Sequence, residues 1–153
     1  MAALRLARVV ASGFGSGYAP VAPGTAGSLV ALILGAGLLR LSPALLAVAA
    51  VLAALAGWWS VRTLGLADDP GWVVVDEFAG QWTAMLALAR PSLAGLAAAF
   101  ALFRLLDITK PGPVGWADRQ HSAFGVLADD VLAGAVAAAL LWTARHFWPG
   151  VFE

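Results

Sequence analysis

The sequence predicts an all-α membrane protein, a small polytopic helical bundle with short or partial spans and acidic helix N-termini converging on one face. Three observations predict it. The chain is 61% apolar and only 12% charged, with a mean hydropathy of +0.86, against about a quarter charged in an ordinary soluble domain. Leu41 to Val61 is a charge-free run of 21 residues, enough to cross a hydrocarbon core of roughly 30 Å. The ionisable residues gather in short segments between apolar runs. The densest, Phe103 to Asp130, holds four of the nine acidic and three of the nine basic residues. Such groups among membrane-type segments are costly unless they pair, hold an ion or meet water, so they mark function.

The length of 153 residues predicts one domain, 1–153. Zero net charge excludes the basic footprint of a nucleic-acid partner. The absence of cysteine excludes a thiolate metal site. Arg5 and Arg8 precede too few apolar residues to make a signal-peptide core, so the N-terminus is expected to be retained and cytoplasmic. Abundant Arg, Ala and Gly fit a GC-rich bacterial genome.

In chain order, Ser12 to Gly24 is a Gly- and Pro-rich loop. Thr25 reads as the N-cap of a helix running to Leu39, about 22 Å long and so shallow or extended by its flanks. A Gly-rich segment entering a helix start can bind phosphate through free amides and the helix dipole; it can equally be a solvated cap. The span Leu41 to Val61 ends with Trp58 and Trp59, suited to a headgroup layer. Phe78 to Ala89 and Pro91 to Phe103 are apolar runs of about 18–20 Å, too short to cross alone. Val131 to Ala144 reads similarly and ends in His146, Trp148 and Pro149 at an interface. Trp72, Trp82, Trp116 and Trp142 read as belt or packing residues. If all acidic segments share one side, that side carries Arg5, Arg8, Arg62, Arg104, Lys110 and Arg119, and the other carries Arg40, Arg90 and Arg145. The asymmetry places the acidic side in the cytoplasm.

Two segments echo one another: Asp76-Glu77 with Gly80, and Asp129-Asp130 with Gly134. Each reads as a carboxylate pair at a helix start, with a glycine about one turn further in. Ordinary capping accounts for one acid at each place. Two at each, drawn together by close glycine contacts, would repel unless a cation sat among them. All-oxygen donors favour Mg²⁺ or Mn²⁺ over zinc. Arg104 and Asp107 are neighbours on a helix face, and Lys110 stands at a helix end before Pro111. They form either a helix-end ion pair or an anion-binding fork and point charge beside the carboxylates. Acids for a divalent ion beside bases for a phosphate are what metal-assisted phosphoryl transfer to water requires. Asp118-Arg119 reads equally as a surface pair, and His121 as a loop residue that hydrogen-bonds.

The motifs GFGSGYAPVAPGTAGS at 13–28, VVDEFAG at 74–80, and FRLLDITKP through DR to DDVLAG at 103–134 resemble phosphatidylglycerophosphatase A. The likeness covers nearly the whole chain in the family's order. It implies a Mg²⁺-dependent bacterial inner-membrane enzyme that hydrolyses phosphatidylglycerophosphate to phosphatidylglycerol and phosphate. The family's acidic positions fall on Asp76, Glu77, Asp107, Asp118, Asp129 and Asp130, and its basic ones on Arg104, Lys110 and Arg119. Departures are Asp69 in place of an expected histidine, Gly115 in place of a base, and a DR-to-His stretch one residue shorter.

The expected site follows from both readings. Asp76, Asp107, Asp129 and Asp130 hold Mg²⁺, with Glu77 a further ligand or the group that positions water. Asp107 serves as ligand or as nucleophile. Gly24, Thr25, Ser28, Arg104, Lys110 and Arg119 receive the phosphate, on the cytoplasmic face, from a lipid that stays in the bilayer. A phospholipid headgroup transferase is the nearest alternative, but its Asp-Gly dipeptide leading to Ala-Arg is missing. A small cation transporter would need acids within its spans, and a structural subunit would use the charges only as caps.

Overall fold

The computed structural model describes residues 1–148 and 150. Among them are seven α-helices and no strand, so the predicted all-α class holds. The helices are α1 (Ala2–Ala11), α2 (Pro23–Leu41), α3 (Pro43–Leu64), α4 (Val75–Met85), α5 (Leu93–Thr109), α6 (Pro113–Asp118) and α7 (Ala123–Phe147), with a 3₁₀ turn at Ser16–Tyr18. Helices α2, α3 and α7 are long and apolar enough to cross a membrane. Pro149, expected at an interface, lies outside the described residues.

The helix starts follow local chemistry. Ser42, Ser92 and Ser122 cap α3, α5 and α7, each accepting a backbone N–H through its hydroxyl. Helix α2 begins with Pro23 in its first turn, behind Ala22 in the left-handed region. Proline is pre-set for a first helical position and has no N–H to leave unpaired. Thr25 is therefore inside the first turn and is not the expected N-cap. Gly65 ends α3 in the left-handed conformation that glycine adopts without cost.

Two expected lengths are corrected. Helix α5 runs on past Phe103 to Thr109, carrying Arg104 and Asp107 in its last turns. Helix α7 starts eight residues before Val131, because Ser122 caps it and Val126 and Leu127 of its first turns pack with Val61, Val73 and Val75. It is a 25-residue helix rather than a partial span. The N-terminal residues Ala2–Ala11 also form a helix, which packs against α3 through buried Ala7 and Ala11. The chain then turns through left-handed Gly13, Phe14 and Gly15.

Helix α4 is the axis. Eight of its eleven residues are buried, and α2, α3, α5 and α7 all pack on it. At about 16 Å it is too short to cross a membrane, and its neighbours supply its surroundings. Small residues let them close in. A Cβ on Gly35 of α2 would meet the Trp82 ring at 2.7 Å, and one on Gly80 would meet Phe103 of α5 at 2.5 Å. The Trp82 indole N–H donates to the Ala31 carbonyl at 2.7 Å, which locks α2 to α4. At the far end, Arg145 of α7 donates to the Ala87 carbonyl just beyond α4. Near that end Leu39, Leu46, Met85, Leu88, Ala99 and Leu141 form an apolar core. These contacts run α2, α4 and α7 in one sense, so their N-terminal parts share one end of the bundle.

Candidate active site

That shared end gathers the acids. Asp76 and Glu77 occupy the first turn of α4, as the sequence predicts. Asp129 and Asp130 are seventh and eighth in α7, about two turns inside it. They are therefore not caps: Ser122 fills that role, and the predicted acidic start of this helix is corrected. Asp107 comes from the end of α5. Oxygens of Asp76, Glu77 and Asp130 lie within 4.8 Å of one another, and so do those of Asp107, Asp129 and Asp130. Asp130 belongs to both groups. Asp76, Asp129 and Asp130 are buried, with exposures of 2%, 5% and 4%.

The glycines explain how the two acidic pairs meet. The Asp130 carbonyl lies 2.6 Å from where a Gly80 Cβ would stand, and a Cβ on Gly134 would run into the Gly80 carbonyl. Backbone contact this close is available only to residues without side chains. The Asp76 and Asp129 carboxylates are held by the backbone N–H groups of Glu77 and Asp130, each at 3.0 Å.

Two bases flank the cluster. Arg104 donates to Asp107 at 2.5 Å and to the Ser28 hydroxyl at 3.3 Å, and lies 3.8 Å from Glu77. The predicted Arg104–Asp107 pair is therefore present. Lys110, at the C-cap of α5 in the left-handed region, donates to Asp129 at 2.9 Å and to Asp118. Burial opposes its charge, but the bonds to Asp118 and Asp129 outweigh that and lift its pKa above the usual lysine range. It stays an ammonium.

Gly24, in the first turn of α2, faces the same group. A Cβ there would strike Glu77 and lie 3.4 Å from an Arg104 nitrogen. Buried Ser28 bonds back to the Gly24 carbonyl at 2.8 Å while accepting from Arg104. Gly24 and Ser28 thus meet the cluster, with Thr25 half-buried between them. Arg119 differs. It is exposed at the end of α6, and no carboxylate among the described residues pairs with it. His121 bonds Asp68 at 2.9 Å in the open, a loop hydrogen bond as expected.

Three residues at this end were given no role in the expected site, although Asp118 falls on one of the family's acidic positions and Asp69 on a departure. Asp69 lines a cavity of about 250 Å³ with Lys110, Asp118, His121 and Asp129. Packing around it, and then the charges of Asp76 and Asp129, push its pKa up to about 8 despite an open edge. Asp118 lines the same cavity and pairs with Lys110. Gln81, one turn along α4 from Glu77, is fully buried, and neither of its amide atoms has a partner. Only the spacing from Glu77 hinted at Gln81, since burial does not show in a sequence.

Electrostatics decides what this arrangement can do. Eight of the nine acidic residues lie at this end, and among the described residues the only arginine or lysine side chains that pair with them are Arg104 and Lys110. Like charges about 5 Å apart repel by roughly 3 kcal/mol per pair at an effective dielectric near 20. The second oxygen of Glu77, Oε2, is buried without a hydrogen-bond donor. An orphaned carboxylate oxygen among crowded hard donors fits a divalent cation.

The model of the family described as phosphatidylglycerophosphatase A matches residues 9–145. The chain is 36% identical over 146 residues to phosphatidylglycerophosphatase A of Escherichia coli K12, covering 92% of this chain and 84% of that protein. It is 38% identical to the Haemophilus influenzae protein of the same name, covering 92% and 88%. It is 42% identical to a putative phosphatidylinositol-3-phosphatase of Bacteroides thetaiotaomicron, covering 90% and 92%. No solved structure gives a significant match. A match across nearly every helix, including all the clustered acids, makes this chain a member of the phosphatidylglycerophosphatase A family of phosphatases.

Proposed function

We propose that this phosphatase hydrolyses the terminal phosphomonoester of phosphatidylglycerophosphate, giving phosphatidylglycerol and phosphate, with Mg²⁺ as cofactor. One observation carries the reading: two carboxylate groups share Asp130 in a buried cluster flanked by Arg104 and Lys110. Asp76, Asp107, Asp129 and Asp130 would hold the cation, with Glu77 beside them. When bound, Mg²⁺ supplies positive charge against the phosphoryl oxygens and makes a coordinated water more acidic.

The chain's own groups do the rest. Glu77 takes a proton from the attacking water through its unpartnered oxygen. The new P–O bond forms as the bond to the glycerol oxygen breaks, and that oxygen leaves with a proton from the open face. Arg104 already bridges Ser28 and Asp107, so it orients the phosphate beside the first turn of α2. Lys110 holds Asp129 and Asp118 in place and presents a fixed positive charge. Asp107, taken up by Arg104, serves better as ligand than as nucleophile.

A second lipid enters through the relative named for phosphatidylinositol 3-phosphate. Both lipids are membrane-held phosphomonoesters. The site faces the cytoplasm in this reading, since Arg40 and Arg145 end α2 and α7 away from it while Arg62 ends α3 beside it. A reporter fused after Gly112 should score as internal.

The test is phosphate release by detergent-purified protein from each lipid, with Mg²⁺ and with chelator. Mg²⁺-dependent release that an Asp129→Asn, Asp130→Asn double variant abolishes supports the proposal. Equal release from that variant ends it.

A further inference from the structure

We infer that Arg62 binds the internal phosphodiester of the lipid substrate, and that an apolar groove between α3 and α7 beyond it receives an acyl chain. The inference rests on the lipid-phosphatase reading above and extends it to substrate recognition.

Three cavities adjoin in sequence. The polar one at the acidic cluster, lined by Asp69, Lys110 and Asp129, shares Ala67 and His121 with a second of about 430 Å³. That second cavity is lined by Arg62, Leu66 and Ser122 and shares Trp58 and Phe124 with a third, also about 430 Å³. The third is almost wholly apolar, walled by Ala54 and Leu55 of α3 and by Leu127, Val131 and Leu132 of α7. A ligand lying along all three meets an acidic end that touches the carboxylate cluster at Asp129, a cationic middle and a hydrocarbon end. That order is the order of groups in a phospholipid carrying an extra phosphate.

Arg62 is suited to the middle. The two bases at the cluster are paired with its carboxylates, beside the monoester, whereas Arg62 pairs with none among the described residues. Its guanidinium lies over the Trp58 ring, 5.2 Å from the centroid. The cation–π contact holds the guanidinium at this place, and its N–H groups can donate in pairs to a phosphate. Both lipids considered above have a phosphomonoester and a phosphodiester separated by three carbon atoms. Phosphatidic acid has no phosphodiester. The shared chemistry is thus two phosphates at fixed spacing, and the two lipids are separate arms of the test.

The experiment measures kcat and KM on phosphatidylglycerophosphate and phosphatidylinositol 3-phosphate for the wild type, Arg62→Gln and Arg62→Lys. Inhibition by inorganic phosphate, which fills only the monoester site, is measured alongside. Arg62→Gln should raise KM about tenfold or more on whichever lipid is the substrate. It should leave kcat and the phosphate inhibition constant near wild type, and Arg62→Lys should recover part of the loss. Unchanged KM overturns the assignment. So does a parallel rise in the phosphate inhibition constant, which would move Arg62 to the monoester site. A fall in kcat with a lowered melting temperature would make its role structural and overturn it too. Ala54→Phe, which fills the groove, should raise KM for a dipalmitoyl lipid and not for its dihexanoyl analogue. Equal effects on both would exclude the groove. Absence of release from either lipid by the wild type would sink the functional proposal itself, a distinguishable failure.

Discussion

Gly80 of α4 and Asp130 of α7 meet backbone to backbone: a Cβ on Gly80 would stand 2.6 Å from the Asp130 carbonyl oxygen. The contact sets the distance between the two acidic pairs. Gly80→Ala must push the helices apart or bend one of them, moving Asp130 relative to Asp76. Overpacking of this kind costs about 1–3 kcal/mol, and alanine's better helix propensity returns at most about 1 kcal/mol. The variant should melt lower in detergent. It should lose phosphatase activity by more than tenfold, because misplacement by an ångström already costs that much. An active variant of unchanged stability would show that the contact does not position the site.

Asp130 belongs to both carboxylate groups, so its removal should separate stability from function. Asp130→Asn keeps the shape and deletes one buried negative charge. Without divalent cation, the variant should melt higher than wild type, since the repulsion falls. Added Mg²⁺ should raise the wild-type melting temperature by mass action and the variant's far less. Activity should fall by about a thousandfold or more. A lower melting point in chelator would mean that Asp130 is satisfied without an ion.

The pH dependence follows from Asp69, whose pKa is pushed up to about 8 by desolvation on its packed side, though its other side is exposed, and then by Asp76 and Asp129. In the unfolded chain it titrates near 4. A raised folded pKa means the folded state holds the proton more tightly. The stability this contributes is full below about pH 4 and is lost as pH rises through about 8. Cation-free protein should therefore melt progressively lower from pH 5 to pH 8, and Asp69→Asn should flatten part of that slope. A wild-type slope of the opposite sign would refute the assignment.

How far the site could be read from sequence varied with the kind of signal. Asp76 and Glu77 stand in the first turn of α4, where a carboxylate pair before an apolar run predicts them, and Arg104 and Asp107 pair as predicted because i,i+3 geometry is local. The start of α7 was misplaced because Asp129 and Asp130 look like a cap before an apolar run. Ser122, the real cap, opens a short apolar run, Ala123 to Ala128, that Asp129 and Asp130 cut off from the longer one after them. The same habit passed over Pro23 in favour of Thr25. Asp69 and Gln81 were invisible as site residues because their surroundings come from helices distant in sequence. Only the fold shows that α4 is wrapped on all sides.

Gln81 tests how fully that wrapped helix is satisfied. It is completely buried, and neither its amide oxygen nor its nitrogen has a partner. A buried amide without partners costs about 1–3 kcal/mol. Gln81→Leu, close in size, should therefore raise the melting temperature in detergent. A lower melting temperature would mean that the amide has partners in solution.

Arg104 joins three elements through one guanidinium, reaching Asp107 in its own helix, Ser28 in α2 and Glu77 in α4. A lysine there keeps the charge and loses the fork. An ammonium has one nitrogen to share among these partners and an incoming phosphate, so it must give some of them up. Arg104→Lys should fold, as charge balance in the cluster is kept, yet lose about a hundredfold in kcat/KM. Because the fork orients the phosphate as charge develops, most of that loss should appear in kcat. Melting temperature and kinetics on the purified variant check both parts. Near-wild-type kcat with a raised KM would assign Arg104 to ground-state binding alone.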